Sequence, residues 1–352
     1  MKILVLSDLH LEQSKSNTFP ERDECRDSDY DVVVLAGDIA RGAAGIEWAA
    51  NSFRGKEIVY VAGVTEFLGA TLEPTLEHLR DVACKLQVHF LERDVIEIDG
   101  IRFLGATLWS DYAMPDEHNR VRSTSESLKC INDFDAISTE RPLGKYLPTD
   151  ESRQRKFLPQ DARDIHIETM NWLQEELAKG DPARTVVVTH HDPHLYTVMS
   201  GDAQDLTPGA FITDLTHLIG RSFLWVHGYR HQGTDYRVGD TQVLANPRGY
   251  EGPNGFAENE IFAGGMIVEF IAASQMTKPD DRARALQSAG YLMRELLMDD
   301  DLYVQIKEAL RLTLQYYPTP LQLEAMISEV DQLTRDGPGT HWLAPNIRHQ
   351  SI

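Results

Sequence analysis

Short runs of consecutive apolar residues recur through the first three quarters of the chain, each with the length of a buried strand. These runs occupy positions 3–6, 32–35, 57–61, 185–188 and 222–226. Apolar residues at helical spacing lie between them, at 45–53, 75–86, 161–179 and 212–219. Alternation of buried strands with amphipathic helices is typical of α/β proteins built on parallel sheets. We therefore predict an α/β fold.

Two β-hairpins are predicted from pairs of apolar segments joined by tight-turn residues. Positions 95–98 and 101–104 flank Asp99-Gly100, which supplies the positive φ angles of a two-residue turn. Positions 236–238 and 241–245 flank Gly239-Asp240 in the same way. A final strand is predicted at 265–271. Hairpins added to alternating units indicate two mixed sheets flanked by helices.

A change in composition at 274–279 divides the chain into two predicted domains. Residues 1–272 carry all of the strand patterns, whereas 276–352 carry only helical spacing, which predicts an all-α C-terminal extension. Within the first domain, 111–160 is polar and broken by prolines. We expect this stretch to be an insertion of loops and short helices that could cap a site.

The acidic net charge of the chain disfavours two classes of binding partner, nucleic acids and anionic membranes. With 34 basic and 55 acidic residues the formal net charge is −21, which argues against an extended nucleic-acid or anionic-membrane surface. The three cysteines show no Cys-x-x-Cys spacing, as is typical of thiols in a reducing compartment. No run approaches the roughly 18 apolar residues of a membrane helix, and the opening apolar run is too short for a signal peptide. We therefore expect a cytoplasmic protein without membrane association.

Aspartate and histidine follow four of the predicted strands, at the point where each strand ends. The sequence reads Asp8-Leu9-His10 after the first strand and Gly37-Asp38 after the second. His190-His191 and Gly228-Tyr229-Arg230-His231 follow two later strands. Open α/β sheets bind ligands at the carboxyl ends of their strands, and imidazoles with carboxylates form a donor set for divalent metals. The sequence therefore predicts a metal site.

The order Asp-x-His, Gly-Asp, Gly-x-x-Glu, His-His and Gly-x-x-His resembles that of the calcineurin-like metallophosphoesterases, over roughly residues 1–272. This resemblance implies a four-layer α/β/β/α sandwich that hydrolyses a phosphate ester by metal-activated water. It also implies two metal sites that share a bridging carboxylate. The ligands of the first site would be Asp8, His10, Asp38 and His231, with Asp38 as the bridge. The expected metal is Mn²⁺, with Fe, Zn or Ni as alternatives.

Three positions depart from the family's pattern, and all of them bear on the second metal or on the leaving group. Where the family has Gly-Asn-His-Glu, this chain has Gly63-Val64-Thr65-Glu66, and neither valine nor threonine can replace the lost ligand and acid. Tyr229 replaces the first histidine of the family's Gly-His-x-His, and a phenol is a poor ligand while it stays protonated. For the second ion, Asp38 and His190 remain. We therefore expect one ion to bind well and the second site to be impaired.

Several neighbours could compensate for the lost ligands, and three of them also have a simpler interpretation. These neighbours are Glu66, His191, Asp192, His194 and His227. Asp192 is favoured as a loop residue that caps a turn. His191 and His227 are favoured as partners that orient ligands rather than as ligands themselves.

Two further segments could contribute to the site. Arg230 could bind a phosphate bidentately as a catalytic residue, and a solvated charge is the equal alternative. The segment Asn246-Pro247-Arg248-Gly249-Tyr250 resembles one in the family that forms a structural turn below the site.

Two functions from different classes remain open on the sequence. The first is a phosphoesterase acting on a small phosphate compound, slow because it lacks an imidazole acid. Loss of such an acid costs roughly 10²–10⁴-fold in rate. The second is an inactive pseudo-phosphoesterase that serves as a binding or regulatory module. The C-terminal helices faintly resemble a short uncharacterised bacterial helical family that begins Met-Thr-x-Pro, and they would offer a surface to a protein partner.

Overall fold

The computed structural model describes residues 1–13, 29–113, 124–125, 128, 133–142, 154–194, 212–252 and 256–270. The chain divides into two compact units, Met1–Met276 and Thr277–Ile352, and the described residues all belong to the first. The predicted helical extension at 276–352 therefore lies outside the described residues, as does most of the predicted insertion at 111–160. The proposed division into domains stays a prediction.

Strands and helices alternate along the described chain as the apolar pattern predicts. The strands are β1 Lys2–Leu6, β2 Val32–Ala36, β3 Glu57–Val61, β4 His89–Phe90, β5 Asp94–Ile98, β6 Ile101–Ala106, β7 Ser138–Thr139, β8 Arg155–Lys156, β9 Thr185–Thr189, β10 Leu224–His227, β11 Thr234–Val238, β12 Thr241–Ala245 and β13 Ile267–Glu269. The helices are α1 Ala44–Ser52, α2 Leu72–Leu86, α3 Asp133–Ala136 and α4 Pro159–Lys179, and 3-10 turns cover Thr65–Phe67 and Pro182–Arg184. This order confirms the α/β prediction.

Two sheets hold the strands of the core. The first has five strands in the order β13-β1-β2-β3-β4, in which β1 to β4 are parallel and β13 is antiparallel. The second has six strands in the order β11-β12-β10-β9-β6-β5, with a parallel centre and an antiparallel hairpin at each edge. Parallel strands that are covered on both faces consist of continuous apolar runs, which explains the unbroken valines of β2 and β9.

Three apolar clusters join these elements. Between the sheets, side chains such as Val34 and Val59 of the first sheet share a cluster with Val188 and Val226 of the second. The other face of the first sheet packs in a cluster with α1 and α2. The other face of the second sheet packs in a cluster with α4. The described elements are thus layered as helix, sheet, sheet and helix.

One turn prediction and one helix prediction have different outcomes. Asp99 and Gly100 have φ angles of 49° and 76°, which confirms the tight turn between β5 and β6. The predicted helix at 212–219 is wrong, because the segment forms a β-bridge at Ile212 followed by turns. The carboxylate of Asp214 accepts hydrogen bonds from the backbone N–H and hydroxyl of Thr216. Such local side-chain bonds compete with helix formation.

No helix among the described residues is long and apolar enough to cross a membrane.

Candidate metal centre

The two sheets bring the strand-end residues together at one edge of the core. Asp8 follows β1 and Asp38 follows β2, while His190 follows β9 and His231 lies four residues beyond β10. Among the described residues, two groups of side chains could hold a metal ion, Asp8 with His10 and His231, and Asp8 with Asp38 and His190. Within each group the ligand atoms lie within 4.8 Å of one another. The structure therefore juxtaposes the five residues that the resemblance names as ligands.

Each of the three histidines uses its Nδ1 atom in a contact outside the cluster. The Nδ1 of His190 lies 2.9 Å from the carbonyl oxygen of Ala36. The Nδ1 of His231 lies 2.7 Å from the Glu258 carboxylate. The Nδ1 of His10 lies 3.4 Å from the Thr65 hydroxyl. All three rings thereby direct Nε2 towards the cluster.

The Nε2 atoms converge on the two carboxylates and on each other. His10 and His231 place their Nε2 atoms 3.0 Å apart. The Nε2 of His231 is 3.8 Å from Asp8 Oδ1, and that of His190 is 3.3 Å from Asp38 Oδ1. Imidazoles that donate their other ring nitrogen to a fixed acceptor are the usual form of histidine ligands to metals.

Backbone N–H groups fix the two carboxylates. The N–H of Tyr229 donates to both oxygens of Asp8, at 3.0 and 3.1 Å, and the N–H of Thr65 donates to Asp38 Oδ1 at 2.7 Å. Burial opposes ionisation of Asp38, but the facing rings of His190 and His10 and the bond from Thr65 lower its pKa overall. A deprotonated carboxylate is the form that binds a metal.

Two observations test whether a divalent cation fits these residues. The Nε2 atom of His190 is buried and makes no hydrogen bond among the described residues, although it faces Asp38 Oδ1 at 3.3 Å, and such a buried polar atom calls for a further partner. Burial lowers the pKa of His10, but Glu12, Asp38 and Asp8 outweigh this effect and raise the pKa to about 9. The cluster therefore favours positive charge, and its nitrogen and oxygen donors suit a divalent transition metal.

Asp8 belongs to both groups of ligands. The resemblance gives the bridging position to Asp38 and leaves the second ion with only Asp38 and His190. In the structure, the carboxylate of Asp8 also lies within reach of that pair. The second group thus has a third donor that sequence comparison does not predict.

Five residues of the centre have backbone angles in the left-handed region. The φ angles are 51° at Asp8, 46° at His10, 56° at Asp38, 76° at Tyr229 and 50° at His231. This region costs an L-residue roughly 1–2 kcal/mol, and such strain gathers at functional sites. The strand-end loops therefore place the side chains of the centre at the cost of backbone strain.

The third motif, Gly63-Val64-Thr65-Glu66, differs from the family's pattern, and two of its residues support the loop that carries Asp38. Val64 is buried in the apolar cluster between the first sheet and its helices, away from any ligand role. Glu66 accepts hydrogen bonds from the N–H groups of Asp38, Ile39 and Gly63 and from the hydroxyl of Tyr60. Burial and the charge of Asp38 raise the pKa of Glu66 to about 7. These contacts engage both carboxylate oxygens of Glu66, which belongs to neither group of candidate ligands among the described residues.

His191 packs against residues of the centre, and His227 follows in the next strand. The ring of His191 stacks on that of Tyr229 with 4.7 Å between centroids, and its Nδ1 lies 3.2 Å from the carbonyl oxygen of Thr107. Burial and the neighbouring His190 lower the pKa of His191 to about 3, so the ring is neutral. The His227 ring lies 3.3 Å from the carbonyl oxygen of Gly228.

The remaining predicted positions lie outside the two groups of candidate ligands. Asp192 Oδ1 accepts the backbone N–H of His194, which agrees with the turn-capping interpretation. Arg230 is half-buried, and its role with phosphate stays a prediction. Asn246 donates to the carbonyl oxygens of Val5 and Ala263, as expected of a structural turn.

Two residues beside the ligands are not predicted from the sequence. Glu258 contacts His231, and the ring of Tyr250 lies 4.4 Å from the ring of His10 and 4.8 Å from that of His231. No spacing relates Glu258 to a strand end, so a single sequence gives no signal for it. The sequence places Tyr250 only in a structural turn.

Comparisons with known proteins connect this fold with a hydrolase. The crystal structure of phosphopantetheinyl hydrolase (PptH) from Mycobacterium tuberculosis matches with a TM-score of 0.50 over 71% of this chain and 89% of that chain, at 15% sequence identity. This likeness shows a shared phosphoesterase-like fold. No protein-family model matches the chain.

One curated protein resembles the chain in sequence. An uncharacterized protein of Acanthamoeba polyphaga mimivirus is 24% identical over 168 residues, which are 46% of this chain and 54% of that protein. The chain thus spans about half the length of the curated relative that it matches.

Proposed function

We propose that the protein is a metal-dependent phosphoesterase with the four-layer α/β/β/α metallophosphoesterase sandwich. One observation carries this proposal. Three imidazoles, each tethered through Nδ1, direct their Nε2 atoms at two fixed carboxylates where strands of two sheets end. Such a donor set would suit a cation, and a phosphopantetheinyl hydrolase has a similar fold.

Asp8, His10, Asp38 and His231 would hold the first ion, and Asp8, Asp38 and His190 the second. Divalent ions in such sites activate water and neutralise the charge that develops on a phosphoryl group. The chain itself orients the donors: Tyr229 and Thr65 fix the two carboxylates through backbone N–H groups. Mn²⁺ is the ion we propose, with Fe, Zn or Ni as alternatives.

The substrate that fits this centre is an ester with a good leaving group. Thr65 occupies the position of the family's acid, and its hydroxyl lies 3.4 Å from His10 Nδ1 but does not titrate near neutrality. A leaving group that needs no protonation avoids this deficit. Phosphodiesters and monoesters of acidic alcohols are therefore favoured over alkyl esters.

A second candidate is a binding module without turnover. The burial of Val64 in an apolar cluster supports it, because the third motif has become part of the core. The metal ligands would then bind a cation or a phosphate compound. Turnover distinguishes the two candidates.

The experiment is hydrolysis of bis(p-nitrophenyl) phosphate and p-nitrophenyl phosphate by chelator-treated protein reloaded with Mn²⁺. Asp38→Asn removes a proposed ligand, and Asp81→Asn on the exposed face of α2 is its control. Metal-dependent hydrolysis that is lost only in Asp38→Asn supports the enzyme. Mn²⁺ binding without hydrolysis of these esters or of a phosphopantetheinyl compound, the group named for the structural relative, supports the binding module. Absence of binding of Mn²⁺, Fe²⁺, Zn²⁺ and Ni²⁺ overturns the enzyme and the cation-binding module, and leaves only a module that binds phosphate compounds.

A further inference from the structure

Glu258 makes two hydrogen bonds at the edge of the centre through one carboxylate oxygen. Its Oε2 atom lies 2.7 Å from His231 Nδ1 and accepts the backbone N–H of Tyr250 at 3.1 Å. The carboxylate therefore faces the ring atom of His231 that points away from the cluster, while the Nε2 atom of that ring lies 3.0 Å from His10 Nε2. No motif or comparison assigns a role to Glu258.

Backbone pairing places Glu258 opposite the ligand loop. The N–H groups of Arg248 and Gly249 donate to the carbonyl oxygens of Ser7 and Asp8, both at 3.0 Å. The N–H of Glu258 in turn donates to the carbonyl oxygen of Tyr250 at 2.9 Å. A continuous chain of backbone bonds thus runs from the loop that carries Asp8 to Glu258. The position of this carboxylate is set by the fold and does not depend on a flexible surface side chain alone.

Gly249 makes the close approach possible. Its φ angle is 72°, and a Cβ atom added there would lie 2.9 Å from the Cβ of Glu258 and 3.2 Å from that of His231. Any side chain at this position would push the two residues apart. The backbone leaves room for the contact between Glu258 and His231 because residue 249 is glycine.

We propose that Glu258 is a positioning residue that holds His231 in the tautomer and orientation required of a metal ligand. The inference rests on the proposed metal site. A carboxylate that accepts the Nδ1–H of a histidine leaves the Nε2 lone pair free and fixes the plane of the ring. Removing such a partner lowers metal affinity by roughly 10–100-fold.

A surface ion pair without function is the alternative explanation. The Glu258 side chain is 51% exposed, and an exposed pair contributes little to folding. The alternative predicts that loss of Glu258 leaves metal affinity unchanged. The proposal predicts a loss of affinity while folding stability is retained.

The test measures Mn²⁺ affinity by calorimetric titration of the metal-free full-length chain. Glu258→Ala should weaken binding by roughly 10–100-fold, whereas Glu258→Gln, which keeps an acceptor oxygen, should recover most of the loss. Glu260 is exposed and lies two residues after Glu258 in the sequence. Glu260→Ala removes the same charge, and this variant should bind Mn²⁺ as the parent does. Gly249→Ala keeps the carboxylate but displaces it, and should weaken binding. Equal affinity in Glu258→Ala, or an equal loss in Glu260→Ala, overturns the proposal.

A second measurement separates this proposal from the metal site itself. Imidazole ¹H–¹⁵N spectra of the metal-free protein report the tautomer of His231, whose signals are assigned by their absence in His231→Gln. The proposal predicts an Nδ1–H tautomer in the parent that is lost or mixed in Glu258→Ala. If the parent binds no Mn²⁺, the proposed function fails while this spectrum still decides the positioning role. An unchanged tautomer overturns it.

Discussion

The backbone N–H of Tyr229 donates to both carboxylate oxygens of Asp8, at 3.0 and 3.1 Å. Asp8 follows a strand of the first sheet and Tyr229 a strand of the second, so this contact joins the two sheets at the centre. The contact uses the main chain of residue 229. Its side chain can therefore change without releasing Asp8.

Tyr229→His should add a ligand to the second group and raise its affinity for Mn²⁺. The Tyr229 ring lies 5.3 Å from that of His190, so an imidazole there is near the orphaned Nε2 atom. The measurement is metal content per chain by elemental analysis after equilibration and dialysis. Tyr229→Phe is the control, since it removes the hydroxyl and adds no donor. Equal metal content in the two variants would contradict the prediction.

Val64→Asn should destabilise the fold rather than restore a ligand. Val64 is 4% exposed within an apolar cluster, and an unpaired buried amide costs roughly 1–3 kcal/mol. Urea unfolding of the metal-free protein measures this loss. For the same reason, the triple change Val64→Asn, Thr65→His and Tyr229→His, which restores the family's residues, should recover less Mn²⁺-dependent hydrolysis than Thr65→His and Tyr229→His without Val64→Asn. A Val64→Asn variant as stable as the parent would show that the amide reaches a polar partner at the centre.

Asp8→Asn should lower the affinity for both ions, whereas His190→Ala should lower the affinity for only one. Asp8 belongs to both groups of ligands, whereas His190 belongs to the second. Mn²⁺ binding isotherms of the two variants separate these effects. A selective loss of a single ion in Asp8→Asn would return the bridging role to Asp38 alone.

Glu66→Ala should lower the free energy of unfolding by at least about 2 kcal/mol, because buried donors are left unpaired. Three backbone N–H groups and the Tyr60 hydroxyl lose their acceptor in this variant. Glu77→Ala on the exposed face of α2 is the control. Urea titration measures both. A change no larger than that of the control would mean that other acceptors or water replace the carboxylate.

The stability of the protein should fall on acidification partly because of His166. Burial in α4 lowers the pKa of this ring below the usual value of 6.5, so the unfolded chain binds the proton more readily. The contribution of His166 is therefore complete above pH 6.5 and is lost as pH falls towards the lowered pKa, with a slope of at most about 1.4 kcal/mol per pH unit. Unfolding in urea from pH 7.5 to 5 should show a shallower dependence in His166→Gln. His217→Gln, at an exposed position, should retain the parent slope, and identical slopes in both variants would refute this origin.

Most of the described fold can be predicted from the apolar runs. The proximity of the proposed metal ligands can be predicted from their positions at strand ends. This succeeds because valine-rich strands can be buried only between layers, and parallel strands end at a common edge. The prediction at 212–219 failed because the apolar side chains Leu215, Leu218 and Ile219 pack from turns, where their spacing imitates a helix. Glu258 and the sharing of Asp8 depend on how distant loops approach, and a single sequence carries no record of that.

Substitution by glycine should relieve backbone strain at five positions of the centre. These are the positions with left-handed backbone angles, Asp8, His10, Asp38, Tyr229 and His231. Glycine is comfortable in this region, whereas an L-residue costs roughly 1–2 kcal/mol there. The sum over five positions rivals the roughly 5–15 kcal/mol that hold an average domain together. In a library selected only for folding, glycine should accumulate at these positions. In a library selected for the activity of the centre, the five side chains should be retained although glycine would relieve the backbone strain.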